Sequence, residues 1–271
     1  NNTAPRVSVV ALPGFSSVAE LNGDQESRNP SPIGVEVLGN PAEIELVRKG
    51  HARVQDQGSQ LVTLALVEAE TTAAQNNWLD MCAGPGGKAA LLAALSLKTD
   101  STLVLNEVLP HRADLVSKAI SPLGSFEIRN MDGREFGDQS QKFSRILLDA
   151  PCTGLGALRR RPESRWRRTT DDLVDLVKLQ RELLASAWAS LGSGGVLAYV
   201  TCSPHLSETT AQVAWAQGKY KDELELLNAN EILNKINPLL ELDEGLKTTQ
   251  LWPHIHGTDA MFLALMRKSV N

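Results

Sequence analysis

The sequence predicts an α/β protein built on a mostly parallel, Rossmann-like sheet. From about Trp78 onward, apolar runs alternate with segments of helical pattern; the runs are WLDMCA, TLVLNEV, FEIRNMD, FSRILLDAPC and GGVLAYVTCS. Strands that alternate with helices indicate βαβ units, whose strands run parallel. The first run leads directly into a glycine-rich turn, as in nucleotide-binding sheets. Each run is expected to be a strand followed by a helix.

The clearest helix is predicted over residues 171–191, where apolar residues recur at spacings of three and four. Thr169 to Asp171 are its capping candidates, and Gly192 is the expected stop. A weaker pattern follows Ala211, and residues 260–266 are predicted to form the final strand.

Residues 1–75 have a different pattern. RVSVVAL and VEVLG indicate short strands, residues 22–32 are rich in Asn, Ser, Gly and Pro, and HARVQDQGSQLVTLAL leads into a helix. We predict a small, partial α+β appendage over residues 1–52, a main domain over residues 53–271, and a hinge near residues 50–60.

Size and composition indicate a soluble cytoplasmic protein. The chain has 271 residues, of which 42% are hydrophobic and 22% charged, and no apolar run approaches the roughly 20 residues of a membrane span. The three cysteines are an odd, widely spaced set, which favours a reducing compartment over a disulfide scaffold. The first residue is Asn1, so a segment is expected to be missing upstream.

Charge is concentrated in one segment of an otherwise acidic chain. The net charge is -5, yet residues 159–168 read RRRPESRWRR and hold six arginines and Trp166. Arginines with an aromatic residue are typical of a groove that binds a polyanionic strand. The alternative is a solvated surface offset by Asp171 and Asp172.

The glycine-rich turn indicates a cofactor site. LDMCAGPGGKAALLAAL places a strand, a turn with three glycines (Gly84, Gly86 and Gly87) and a helix in succession. Such a turn brings free N–H groups of the helix start close to a ligand. G-P-G-G departs from the full dinucleotide pattern G-x-G-x-x-G, which weakens a dinucleotide interpretation.

Three acidic residues end three consecutive predicted strands. They are Glu107, Asp132 and Asp149, and all are expected at the carboxyl edge of the sheet, where such folds bind ligands. Each alone could be a helix cap. Together they favour an adenosine site, with Glu107 accepting hydrogen bonds from the ribose hydroxyls, and an acidic rim attracts the sulfonium of S-adenosylmethionine.

Cys152 and Cys202 follow apolar strands in DAPCTG and VTCSP, so both are expected at this edge. For Cys82 we expect the ordinary role of a small buried side chain. No metal site is predicted, because no C-x-x-C occurs and only His254 and His256 lie near each other.

Taken together, these motifs resemble the RsmB/NOP2/Sun family of RNA 5-methylcytosine methyltransferases. CAGPGGK, DAPCTG, TCSP, VQDQGSQLV and HGTDAMFLALMRK carry the resemblance from about Arg53 to the end, most closely to the bacterial ribosomal-RNA Sun proteins. It implies a class I methyltransferase sheet with an antiparallel last strand, and an RNA-binding role for the appendage. Sun proteins usually carry an upstream NusB-like domain, which this sequence lacks.

The resemblance also implies residue roles. Cys202 is the nucleophile on carbon 6 of cytosine, Cys152 assists product release, and Asp149 and Lys88 hold the base. DNA cytosine methyltransferases instead use the cysteine of a Pro-Cys motif, here Cys152. The cofactor would be S-adenosylmethionine, with the following contacts: Cys82, Ala83, Gly84, Pro85, Gly86, Gly87 and Lys88 at the methionine end, Glu107 at the ribose, Asp132 at adenine, and Asp149 nearby.

RNA, with 16S ribosomal RNA as the first candidate, is the expected partner. Our own inference is that the arginine-rich segment holds the strand through Arg159, Arg160, Arg165 and Arg167, with Trp166 stacking on a base. Three other functions stay open at this point. They are a methyltransferase that acts on nitrogen without a covalent thiol, a non-catalytic RNA-binding module, and an oxidoreductase on a similar sheet.

Overall fold

A computed structural model describes residues 5–21 and 29–270 of the chain. The predicted polar stretch 22–32 lies largely outside these residues. The main feature of the fold is an eight-stranded sheet. A three-stranded sheet of order β2-β1-β3 precedes it in the chain. The small sheet consists of β1 (Val7–Ala11), β2 (Gly34–Val37) and β3 (Ala52–Val54), all paired antiparallel, with α1 (Glu45–Arg48) before β3.

The large sheet has a parallel centre. Its strands are β4 (Asn77–Asp80), β5 (Thr102–Asn106), β6 (Glu127–Arg129), β7 (Phe143–Asp149), β8 (Leu191–Thr201), β9 (Leu224–Leu226), β10 (Thr249–Gln250) and β11 (Phe262–Lys268). Their order is β10-β11-β8-β7-β4-β5-β6, with β9 also on β11. Pairs among β4 to β8 are parallel, whereas β11 pairs antiparallel with β8, β9 and β10. The predicted mostly parallel sheet with an antiparallel last strand is confirmed.

Eight helices follow the small sheet in the described part of the chain, and the longer ones cover both faces of the large sheet. They are α2 (Gln57–Glu68), α3 (Gly87–Lys98), α4 (Pro110–Ile120), α5 (Ser164–Arg167), α6 (Thr170–Ser190), α7 (Thr210–Lys219), α8 (Ala229–Ile236) and α9 (Pro253–His256). Helix α6 is the one predicted over residues 171–191. It begins with a capping box, in which the Thr169 side chain accepts from the Asp172 backbone N–H and the Asp172 side chain accepts from that of Thr169.

Two apolar cores separate the layers. One packs α2, α3 and α4 on the first face of the sheet, with residues such as Leu61, Leu91 and Val116 fully buried. The other packs α6 and α7 on the second face through residues such as Leu184 and Ala216. The parallel strands read as continuous apolar runs because both of their faces are buried.

The small sheet rests on the main domain through β1. Alternate side chains of this strand point in opposite directions: Val9 and Ala11 enter the core of the small sheet, and Val10 joins that of the main domain. The predicted boundary between residues 52 and 53 falls inside β3, which pairs with β1 along its length.

One helix prediction is wrong. The connection after β6 is a 3₁₀ turn, Gly133–Asp138, rather than an α-helix. Only 13 residues separate β6 from β7, and Gly133 and Gly137 lie among them, so there is no room for a full crossover helix.

Among the described residues, no helix is both long and apolar enough to cross a membrane.

Candidate active site

The strand order places the predicted site residues along one edge of the sheet. The first parallel strand, β4, lies between β5 and β7, so the chain winds outward in both directions from the β4–β7 pair. Ligands of such sheets bind outside the carboxyl ends of the strands at this switch point. Asp80 is the last residue of β4 and Asp149 the last residue of β7, whereas Cys202 directly follows β8.

The glycine-rich turn packs tightly on Glu107. The Gly84 N–H donates to Oε2 of Glu107 at 3.1 Å, and a Cβ at position 84 would lie 2.1 Å from the same oxygen. A residue larger than glycine at position 84 would therefore displace the Glu107 carboxylate. Helix α3 begins at Gly87 without a side-chain cap, which leaves its first N–H groups facing the edge where a ligand would lie.

Arg112 completes this corner, and sequence reasoning missed it. Its guanidinium donates to the Gly84 carbonyl at 2.6 Å and lies 3.4 Å from the Glu107 carboxylate. The Glu107 side chain is 5% exposed and also accepts from the Leu109 N–H at 3.1 Å. The carboxylate is thus fixed in place at the end of β5.

Asp132 is held differently. It caps the 3₁₀ turn by accepting from the Arg134 N–H, and its carboxylate pairs with the Arg134 guanidinium at 2.6 Å. Hydrogen bonds from Arg134 lower the pKa of this carboxyl below its usual range. Asp132 is therefore both the helix cap that was weighed against a binding role and an acid at the ligand edge.

Asp80 is a second residue that sequence reasoning missed. It ends β4 and is 1% exposed, and neither carboxylate oxygen accepts a hydrogen bond of normal geometry. Burial, followed by repulsion from Asp149, raises its pKa to about 8, against smaller opposing effects of Lys88 and the Cys82 N–H. A buried carboxyl without a partner in the protein fits the cationic methionine end of S-adenosylmethionine.

Lys88 and Asp149 form a partly buried ion pair between α3 and β7. Lys88 Nζ lies 2.8 Å from Asp149 Oδ2, and the two side chains are 13% and 27% exposed. Burial disfavours the charged ammonium, but the Asp149 carboxylate outweighs burial and raises the pKa of Lys88. The lysine therefore carries a proton at neutral pH beside the two cysteines.

The two cysteines that follow β7 and β8 are adjacent. Cys152 Sγ lies 3.4 Å from Cys202 Sγ, although 50 residues separate them in the chain. The loops also meet through the Gly156 N–H, which donates to the Cys202 carbonyl at 2.9 Å. Prediction of both thiols at one edge of the sheet thus agrees with their positions.

The surrounding groups shift the pKa values of these two thiols in opposite directions. A hydrogen bond from Cys152, together with the charge of Lys88, lowers the pKa of Cys202 against the effect of burial. The same hydrogen bond and burial raise the pKa of Cys152. These pKa directions favour the thiolate at Cys202, which would accept its hydrogen bond from the Cys152 S–H. Burial raises the pKa of Cys82, in line with its expected inert role.

The arginine-rich segment is divided into two parts. Arg159 is 12% exposed, donates to the Gly257 carbonyl at 2.6 Å and lies 3.5 Å from Asp56 and from Asp259. Arg160 pairs with the same buried Asp259. Two aspartates with buried side chains thus hold the Arg159 side chain inside the protein, and its predicted contact with an RNA strand stays a prediction.

The remainder of the segment is exposed. Arg165, Trp166 and Arg167 lie on the short helix α5, and Trp166 is 76% exposed. An indole left in solvent between two arginines forms a stacking surface with positive charge on both sides. The contact of these three residues with RNA stays a prediction. No cluster of three or more His, Cys, Asp or Glu suited to a metal ion occurs in residues 5–21 and 29–270.

Comparison with known proteins agrees with this geometry. Residues 62–267 match the family model described as 16S rRNA methyltransferase RsmB/F. The chain belongs to this family. It is thus an α/β methyltransferase domain of the RsmB/NOP2/Sun type, and S-adenosylmethionine is its cofactor, as the sequence predicted.

The chain matches a little more than half of each of two curated relatives. Over 97% of its length the chain is 46% identical to a Mycobacterium tuberculosis protein named as a candidate methyltransferase, of which it covers 57%. Over 90% it is 30% identical to ribosomal RNA small subunit methyltransferase B of Photorhabdus laumondii, of which it covers 54%. The chain therefore spans little more than half of these relatives.

Solved structures show the same fold. NSun6 from Pyrococcus horikoshii with SFG matches 89% of this chain and 58% of its own at 27% identity, with a TM-score of 0.70. A methyltransferase homologue from the same organism matches 98% of this chain and 87% of its own, with a TM-score of 0.72 at 24% identity. The second match concerns the fold alone.

Proposed function

We propose that this chain transfers a methyl group from S-adenosylmethionine to carbon 5 of cytosine in ribosomal RNA, through a covalent bond between Cys202 and carbon 6. The observation that carries this proposal is the cysteine pair, 3.4 Å apart with a lowered pKa on Cys202 and a raised one on Cys152. Methyl transfer to nitrogen needs no thiolate, so such a pair favours carbon methylation.

Cytosine carbon 5 is too electron-poor to attack a methyl donor directly. Addition of the Cys202 thiolate forms the S–C6 bond and moves the electron pair of the C5–C6 double bond toward carbon 5 and the ring nitrogen. Asp149 would accept a hydrogen bond from the exocyclic amine and, with a proton passed on from the Lys88 ammonium, donate to N3, where the developing charge collects. When bound, S-adenosylmethionine supplies the methyl group that carbon 5 takes.

Product release reverses the addition. The proton on carbon 5 passes to a general base, the C5–H electrons restore the double bond, and the S–C6 pair returns to Cys202 as thiolate. We assign Cys152 to this elimination as that base, because its sulfur faces Cys202 at hydrogen-bond distance. Once Cys202 is bonded to carbon 6, Cys152 would give its own proton to solvent and take the carbon 5 proton as thiolate. The cytosine must leave its stack to reach Cys202, and loop cytosines do so at the least cost.

Cofactor contacts follow the geometry of the edge. The segment from Cys82 to Lys88, with Asp80 beneath it, would hold the methionine end, Glu107 the ribose hydroxyls and Asp132 the adenine. Arg165, Trp166 and Arg167 would bind the RNA strand. RNA binding by the small sheet and an upstream NusB-like domain stay predictions.

Nucleoside analysis tests this proposal. The chain is incubated with S-adenosylmethionine and a 16S ribosomal RNA transcript, and the digested RNA is separated by mass spectrometry. We expect 5-methylcytosine as the methylated nucleoside. Methyl groups found on nitrogen would favour direct transfer without a covalent intermediate, and RNA binding without any methylation would favour a non-catalytic module.

A further inference from the structure

Glu208 is a fully buried carboxylate next to the cysteine pair. It lies in the 3₁₀ turn Leu206–Glu208, six residues after Cys202, and its exposure is 0%. No Lys or Arg of the described residues forms an ion pair with it. A buried carboxylate is costly unless hydrogen bonds satisfy it, so its donors indicate what it holds in place.

The donors come from three separate elements. Oε1 accepts from the Thr153 N–H at 2.8 Å and from the Gln180 amide at 3.1 Å. Oε2 accepts from the Thr153 hydroxyl at 2.5 Å and from the Ser203 hydroxyl at 2.6 Å. Hydrogen bonds to a charged acceptor are short and strong, so one side chain ties helix α6 to both loops.

These donors lie beside the cysteines in the chain. Thr153 directly follows Cys152, and Ser203 directly follows Cys202. The Gln180 amide also donates to the Pro151 carbonyl at 2.8 Å, which fixes the residue before Cys152. The Glu208 carboxylate thus holds, through hydrogen bonds, the residues that flank both cysteines.

We propose that Glu208 is a positioning residue that sets the distance between the Cys152 and Cys202 thiols. It touches neither substrate nor cofactor and acts through the loops that carry the two sulfurs. The role of this spacing in catalysis rests on the proposed function, but the spacing itself is a property of the protein alone. Loss of the charge would leave hydroxyl and amide donors without an acceptor, and the loops would separate.

A thiol-spacing measurement tests this directly. Phenylarsine oxide binds two neighbouring thiols together far more tightly than one, so its affinity reports whether the sulfurs remain adjacent. The assay uses the chain without RNA and compares wild type, Glu208→Gln, Cys152→Ser as the one-thiol baseline, and Val213→Ala. Val213 is 3% exposed in α7 and contacts neither loop by hydrogen bond, so its variant matches a general loss of stability.

We expect Glu208→Gln to bind the arsenical at least about tenfold more weakly than wild type, near the Cys152→Ser baseline, because two or more donors lose their acceptor. Val213→Ala should bind as wild type does. Unchanged affinity in Glu208→Gln, or an equal loss in both variants, would overturn the positioning role.

Single-donor variants keep the test usable if Glu208→Gln does not fold. Ser203→Ala and Thr153→Val each remove one hydroxyl donor and should each weaken arsenical binding by a smaller factor. No change in either would also overturn the proposal. Tight arsenical binding by a wild-type chain that makes no 5-methylcytosine would contradict the proposed function and leave the positioning role standing.

Discussion

The cysteine edge and the helix that carries Trp166 are close in the chain but are built in opposite ways. Lys88, Asp149 and the two cysteines are held by partly buried contacts of 2.8 to 3.4 Å. Arg165, Trp166 and Arg167 lie exposed on a four-residue helix. Chemistry needs fixed geometry, whereas a strand of RNA can be held by mobile charges and a flat ring. Changes at the first region should therefore alter catalysis, and changes at the second should alter binding.

Removal of the Lys88 ammonium should have the largest effect. Lys88→Met leaves Asp149 without its partner in a partly buried position, so methyl transfer should fall by roughly 10²- to 10⁴-fold. Single-turnover assays with saturating RNA measure the loss. Lys98→Met, at the exposed end of the same helix, is the control and should retain wild-type rates. Equal rates in both variants would place Lys88 outside the chemistry.

Cofactor affinity should respond less strongly. Glu107→Ala removes a fixed carboxylate and should weaken S-adenosylmethionine binding by roughly 10- to 150-fold, the equivalent of about 1.5 to 3 kcal/mol. Asp132→Ala should act in the same direction and Arg112→Ala more weakly, since Arg112 acts through Glu107. Calorimetry with cofactor alone checks this, and RNA affinity should hardly change. Wild-type cofactor affinity in both acid variants would mean that the adenosine lies elsewhere.

The divided arginine segment sharpens the comparison further. Replacing Arg165 and Arg167 with Ala should reduce the slope of log K for RNA binding against log salt concentration by about 1.4, or about 0.7 per phosphate contact. The stability of the protein should not change. Replacing Arg159 and Arg160 should instead lower the melting temperature, because Asp56 and Asp259 would remain buried without their cations. Titrations at several salt concentrations and thermal melts separate the two. A lower melting temperature after replacement of Arg165 and Arg167, with a reduced salt slope only after replacement of Arg159 and Arg160, would contradict the structure.

Asp80 is expected to make the stability of the protein depend on pH. Its folded pKa of about 8 exceeds the ordinary value of 3.8, so the folded chain keeps a proton that the unfolded chain loses between these values. The free energy of unfolding should therefore fall as pH rises through this range and level off above about 8. Asp80→Asn should remove this part of the decline, as melts between pH 6 and 9 would reveal. Parallel curves for variant and wild type would contradict the raised pKa.

Periodicity and motifs predicted the parts of the molecule that depend on local sequence. The five parallel strands, the capped helix α6, the glycine turn and the placement of Cys152 beside Cys202 all follow from short patterns. Glu208 and Asp80 were not found, because a buried carboxylate looks like any surface acid until its surroundings are known. The ion pairs of Arg159 were not predicted for a related reason: its partners Asp56 and Asp259 are distant in sequence, and only the fold brings them together.

Trapping of the covalent adduct tests the central claim most directly. Cys202→Ala and Cys152→Ala are each incubated with S-adenosylmethionine and ribosomal RNA, and protein–RNA species that survive denaturation are separated on a gel. With Cys202→Ala we expect no adduct and no methylated RNA, because no bond to carbon 6 can form. With Cys152→Ala we expect a slowly migrating band that depends on S-adenosylmethionine, because addition proceeds and release fails. An adduct in Cys202→Ala with none in Cys152→Ala, or methylation that persists in both without an adduct, would contradict the account.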